Sequence, residues 1–83
     1  PSRRFEVEGQ EWIVRISGRT ITGTRPDAGA LLMHLSFFRF EEPEMAARRL
    51  VTVNRPLDAF YDEDLRELFE RSLSTEAGSV GSG

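Results

Sequence analysis

The sequence predicts a small α+β domain: a four-stranded antiparallel sheet that begins with a β-hairpin, with one C-terminal amphipathic helix packed on a face. Three observations carry this. Apolar and charged residues alternate through residues 5–16, the period of half-buried strands. A second apolar run, residues 30–40, has apolar side chains available to both faces of a strand. Beyond Arg55-Pro56 the acids Asp58, Asp62, Glu63 and Asp64 gather where a helix N-terminus favours negative charge, and Leu65, Leu68, Phe69 and Leu73 then recur at helical spacing.

In the hairpin, Phe5 and Val7 alternate with Arg4, Glu6 and Glu8, and Trp12, Val14 and Ile16 alternate with Glu11, Ile13 and Arg15. A two-residue turn at Gly9-Gln10, with Gly9 supplying the positive φ that a type II′ turn needs first, sets Val7 opposite Trp12 and Phe5 opposite Val14. The apolar members then share one face, which a slip of one residue would undo. The same register sets Arg4 opposite Arg15 and Glu6 opposite Ile13 on the other face.

Residues 17–29 are rich in Gly, Thr, Pro and Asp and read as a loop, with Arg25-Pro26-Asp27-Ala28-Gly29 as its turn. The β-branched Thr20-Ile21-Thr22 extends the second strand past a bulge at Gly18. In the third strand, Leu31, Met33, Leu35 and Phe37 line one face and Leu32, His34, Ser36, Phe38 and Phe40 the other. Glu41-Glu42-Pro43-Glu44 ends that strand, because Pro cannot donate to a ladder and the carboxylates favour water. Residues 45–49 read as a helical turn and residues 50–54 as the fourth strand. The helix has Asp58, Asp62 or Tyr61 as candidate N-caps, the last with Phe60 stapled to Leu65. The domain is expected to occupy residues 1–73, and residues 74–83, nearly all small or polar, to form a disordered tail.

At 83 residues there is room for one domain, and a domain of that size buries only about 60% of the surface its unfolded chain exposes. Hydrophobic residues at 39%, among them six Phe, nonetheless suffice for a folded core. The absence of Cys excludes disulfides, Cys-based metal sites and a thiol nucleophile, and it suits a reducing compartment. All eleven basic residues are Arg, so Schiff-base chemistry, pyridoxal phosphate attachment and a P-loop lysine are excluded as well. The longest unbroken apolar stretch, residues 30–33, is far too short to span a membrane. Pro1-Ser2-Arg3-Arg4 reads as a start from which an initiator Met has been removed, and a cytoplasmic location is expected.

His34 is the one histidine. Ser36 shares its strand face, but residues two apart along a strand lie roughly 7 Å from each other, too far for a nucleophile and its base. The acidic clusters lack calcium-loop spacing, and Gly18, Gly23 and Gly29 form no nucleotide-binding pattern. No enzyme activity, metal or cofactor is therefore expected.

The face opposite the core resists a purely structural explanation. Arg4 across from Arg15 gains nothing for folding, since like charges directly across strands repel. Beside them emerge Ile13, His34, Phe38 and Phe40, and aromatic residues mixed with Arg are what protein interfaces enrich. Arg4, Ile13, Arg15, His34, Phe38 and Phe40 are accordingly the expected partner-binding residues. The expected function is that of a non-catalytic protein-interaction domain, a homo-oligomer or a small accessory subunit of a larger assembly. Two alternatives remain: the sheet closes into a barrel and buries this face itself, or the face stacks the bases of a nucleic acid, against which stand a net charge of −3 and the lack of Lys.

Overall fold

A computed structural model describes residues 1–23 and 29–75. The fold is α+β, with an antiparallel sheet and one α-helix. Its strands are β1 (Ser2–Val7), β2 (Gln10–Ile21), β3 (Leu31–Arg39), β4 (Ala46–Val53) and β5 (Leu73–Ser74), and the helix α1 (Asp62–Arg71) lies between β4 and β5. The sheet thus has five strands rather than the expected four, and the helix is not the last element. Among the described residues, strands neighbour one another in chain order and β1 does not meet β5, so the sheet they form is open rather than a closed barrel.

The first hairpin corrects the expected register. Glu8 and Gly9 both have positive φ, 51° and 82°, as the two central residues of a type I′ turn require. The turn therefore falls one residue earlier, and Phe5 faces Trp12, Val7 faces Gln10, Glu6 faces Glu11 and Arg4 faces Ile13. Arg15 faces Ser2, so the arginine pair does not exist. Moving the turn by one residue shifts partners by two, and an even shift keeps every side chain on its face.

β2 continues to Ile21 through an irregularity between Ile16 and Gly18, so part of the expected loop is strand, as its β-branched residues suggested. Of the expected turn over residues 25–29, residues 25–28 lie outside the described residues. β4 begins at Ala46, replacing the helical turn expected over 45–49. There Arg48 faces Phe37 and Ala46 faces Phe38, with a bulge between. Ladder bonds to the long β3 outweigh the helical preference of Ala-Ala-Arg-Arg.

Phe5, Trp12, Val14, Met33, Leu35 and Phe37 are buried on one face of the sheet, together with Leu57, Phe60, Leu65 and Leu68 from the segment after β4. The Phe69 ring packs edge-on against the rings of Phe5, Trp12 and Phe37 at 4.6 to 6.1 Å. Arg3 fixes the connection into the helix, donating to the carbonyls of Leu57 and Phe60 at 2.8 and 2.7 Å and pairing with Asp62 at 2.9 Å. Tyr61 caps the helix, its N–H donating to Asp64 Oδ2 at 2.9 Å, with Phe60 and Leu65 buried on either side.

The helix stops at Arg71, four residues after Glu67, because Ser72 turns extended with ψ 161°. Leu73, expected on the helix's apolar face, instead opens β5 opposite Arg49 and is exposed. Ser74 faces Arg48, and Thr75 Oγ1 donates to the carbonyls of Ala46 and Ala47 at 3.1 and 3.3 Å. Of the expected tail, residues 76–83 lie outside the described residues.

Candidate interaction surface

Because Met33, Leu35 and Phe37 point into the core, the alternate residues of β3 must point the other way. The register then assembles the outer face in rows that cross the strands. Arg4, Ile13, Phe38 and Ala46 form one row, and Arg15, Ser36 and Arg49 the next. Gly18, His34 and Val51 form a third, and Thr20, Leu32 and Val53 a fourth. All six residues named from the sequence lie on this face or at its end.

Two arginines lie over aromatic rings. The Arg4 guanidinium carbon is 4.1 Å from the centre of the Phe40 ring, and that of Arg15 is 4.8 Å from the centre of the Phe38 ring. Such stacks hold a cation in place while leaving most of its donors to solvent. Ile13, beside both Arg4 and Phe38, links the two stacks into one patch. His34 stands apart from that patch, with Ser36 between it and Phe38 along β3.

Arg4 is also paired, its Nε donating to Glu11 Oε2 at 2.5 Å. This hydrogen bond raises the Arg4 pKa and lowers that of Glu11. The sign follows from the charged form being the bonded one: the pair is intact above the ordinary glutamate value of 4.5 and is lost as pH falls through the depressed value. A carboxyl titration by NMR is expected to place the Glu11 midpoint below 4.5, and Arg4→Met to return it towards that value. High salt should return it part of the way, since both groups are exposed.

The polar centre of the face is internally satisfied. Ser36 Oγ donates to Ser17 Oγ at 3.0 Å, and Ser17 Oγ donates to the carbonyl of His34 at 3.2 Å. The His34 ring meets Thr20 Oγ1 through Nε2 at 2.7 Å. Ser36 and His34 thus direct their side chains to different partners. Ser17, the extra residue of the β2 irregularity, supplies the hydroxyl that joins the two strands. These groups and Arg49 border a depression of about 410 Å³.

Sequence reasoning missed Arg49, Val51, Val53 and Leu73, which extend the face towards β5. The signal for Arg49, Val51 and Val53 lay in the alternation of residues 46–53, legible only once the strand is started at Ala46, whereas Leu73 carried no such signal. Among the described residues, β3 and β4 place no carboxylate on this face, so Arg15 and Arg49 make a cationic row in a chain of net charge −3.

The chain matches no protein-family model, no curated protein and no solved structure. Among the described residues no helix is long and apolar enough to cross a membrane.

Proposed function

We propose that the chain is a non-catalytic protein-interaction domain, acting as a homo-oligomer or as a small accessory subunit, and that the outer face of its sheet is the contact surface. Arg4, Ile13, Arg15, His34, Phe38 and Phe40 are its contact residues. The observation that carries this reading is the pair of arginine–aromatic stacks joined through Ile13 on a face left open by the fold. An arginine already ordered over a ring loses less conformational freedom on binding than a free one, and Arg and aromatic anchors dominate interface energies. The helix belongs to the opposite, core side in the same reading. A protein partner is favoured over a nucleic acid because Arg15 and Arg4 already occupy one face of each ring that base stacking would use. A cytoplasmic location belongs to the same proposal.

The test is Phe38→Ser combined with Arg15→Glu. Two anchors at about 2 kcal/mol each correspond to a loss of affinity of at least roughly 100-fold, so the partner recovered with the wild-type chain from native lysate should no longer be retained. Circular dichroism and the thermal midpoint should stay close to wild type, because both residues lie outside the core. Retention of the same partner by the double variant would overturn the reading, and so would loss of the fold.

A further inference from the structure

We propose that two copies of this chain pair edge to edge through β4, antiparallel about a two-fold axis at Thr52, with Val51 of one copy opposite the partner's Val53. Among the described residues, β5 pairs with β4 at Arg48 and Arg49 alone. The Asn54 N–H donates to the Leu31 carbonyl at 3.0 Å, which fixes the phase of the ladder. Bonding alternates along an antiparallel strand, so Arg48, Leu50 and Thr52 direct their backbone groups to β3, and Arg49, Val51 and Val53 direct theirs outward. Arg49 meets Leu73 there. Among the described residues, Val51 and Val53 have no strand beyond them.

The other edges carry the devices that discourage pairing. β1 bears Arg3, Arg4 and Glu6, and its outward carbonyl at Glu6 accepts from Arg66 Nε at 2.8 Å. The part of β2 that runs past β1 is irregular at Ser17 and bears Arg19. Charges, capped carbonyls and bulges all oppose strand addition. Residues 50–54, Leu-Val-Thr-Val-Asn, have no charge and no Pro.

That segment is complementary to itself in one register. With the axis at Thr52, Val51 and Val53 of each copy exchange backbone hydrogen bonds with the partner's Val53 and Val51, and the two Thr52 residues form the close, non-bonded pair between them. An axis at Val51 would need the outward groups of Arg49, which β5 already holds. An axis at Val53 would set Val51 against Arg55, beyond the end of β4. The side chains fit the same register. Leu73 is 76% exposed, Val53 63% and Val51 49%, and Leu73 stands beside Arg49 at the position next to the one the partner's Val53 would take. Pairing therefore joins Leu73, Val51 and the partner's Val53 into one apolar stripe across the axis. A groove of about 720 Å³ bordered by Leu50, Val51 and Leu73, and also by Arg49 and Arg71, lies where the incoming strand would end.

The β4 edge and the patch formed by Arg4, Ile13, Arg15, Phe38 and Phe40 involve different residues, so their failures separate. Sedimentation equilibrium is expected to show twice the 9.4 kDa chain mass at high concentration, and Val53→Pro, which removes an outward N–H, to restore the single mass while the circular dichroism of the sheet is kept. The chain has no Cys, so Thr52→Cys introduces one thiol beside its own symmetry mate and should form a disulfide dimer under mild oxidation. Glu63→Cys on the helix should remain free of cross-links on that timescale. Phe38→Ser with Arg15→Glu should keep the double mass. A single chain mass up to the solubility limit, or cross-linking of Thr52→Cys no faster than of Glu63→Cys, would overturn the edge dimer and leave the outer-face reading intact. Dissociation by the face variant would place self-association on that face and also overturn it.

Discussion

Replacing Trp12 by Ala is expected to lower the stability of the fold by about 3–5 kcal/mol, much of what a small domain possesses. The indole is 7% exposed, faces Phe5 across the hairpin and packs edge-on against Phe69 at 4.6 Å. The Arg39 guanidinium covers its outer side at 5.2 Å. Truncation removes a large apolar surface and the partner of Phe69, which is itself the ring that joins the helix to the sheet. Urea titration should show the midpoint collapsing for Trp12→Ala and largely kept for Trp12→Phe, which retains a ring against Phe69. A midpoint for Trp12→Ala near that of wild type would show the indole to be dispensable. Phe37, fully buried two residues from the end of β3, is more enclosed still, because it lies between Val14 of β2 and Arg48 of β4 while Trp12 lies nearer the hairpin's end.

The faces of β1, β2 and β3 were legible because parity alone decides them. Phe5, Trp12, Val14, Met33, Leu35 and Phe37 reach the core in either hairpin register, since the two differ by an even step. The register itself was not legible. Gly9 satisfies a type II′ turn as its first central residue or a type I′ turn as its second, and the latter asks Glu8 to accept positive φ. Leu73 illustrates a different limit. Its spacing from Phe69 is helical, yet the helix ends before it, since Ser72 is held by β4, a contact no local pattern contains.

The candidate surface divides the same way. Arg4, Ile13, Arg15, His34, Phe38 and Phe40 share the outer side because alternation places them there, whatever their partners. What holds them depends on register: Arg4 meets Ile13, Glu11 and Phe40 rather than Arg15. Arg4 and Arg15 are not cross-strand partners and do not repel as a pair, and stacking on Phe40 and Phe38 is what orders them on the outer face. Val51, Val53 and Leu73 escaped notice because their exposure follows from where β5 stops along β4. That is settled by the end of the helix, and the end of the helix is settled by Arg48.

Arg48→Met is expected to cost about 2–4 kcal/mol, the sum of charge-assisted hydrogen bonds and a partly desolvated cation–ring contact. From β4, Arg48 Nε donates to Ser72 Oγ and Nη2 to the Ser72 carbonyl, both at 2.7 Å, while the guanidinium carbon lies 4.7 Å from the centre of the Phe69 ring. Ser72 is buried and its hydroxyl also donates to the Phe69 carbonyl, so this single side chain satisfies the helix end and positions β5. Met fills similar volume without donors and strands the Ser72 carbonyl. Arg48→Lys should recover little, because one ammonium cannot reproduce a planar two-point contact and lie over the ring as well. Both variants should lose amide-exchange protection first at residues 72–74, before the rest of the sheet. If Arg48→Lys melts with the wild type, charge alone suffices and the planar geometry is immaterial. If neither variant moves the exchange of those residues, β5 is held in place by something other than Arg48.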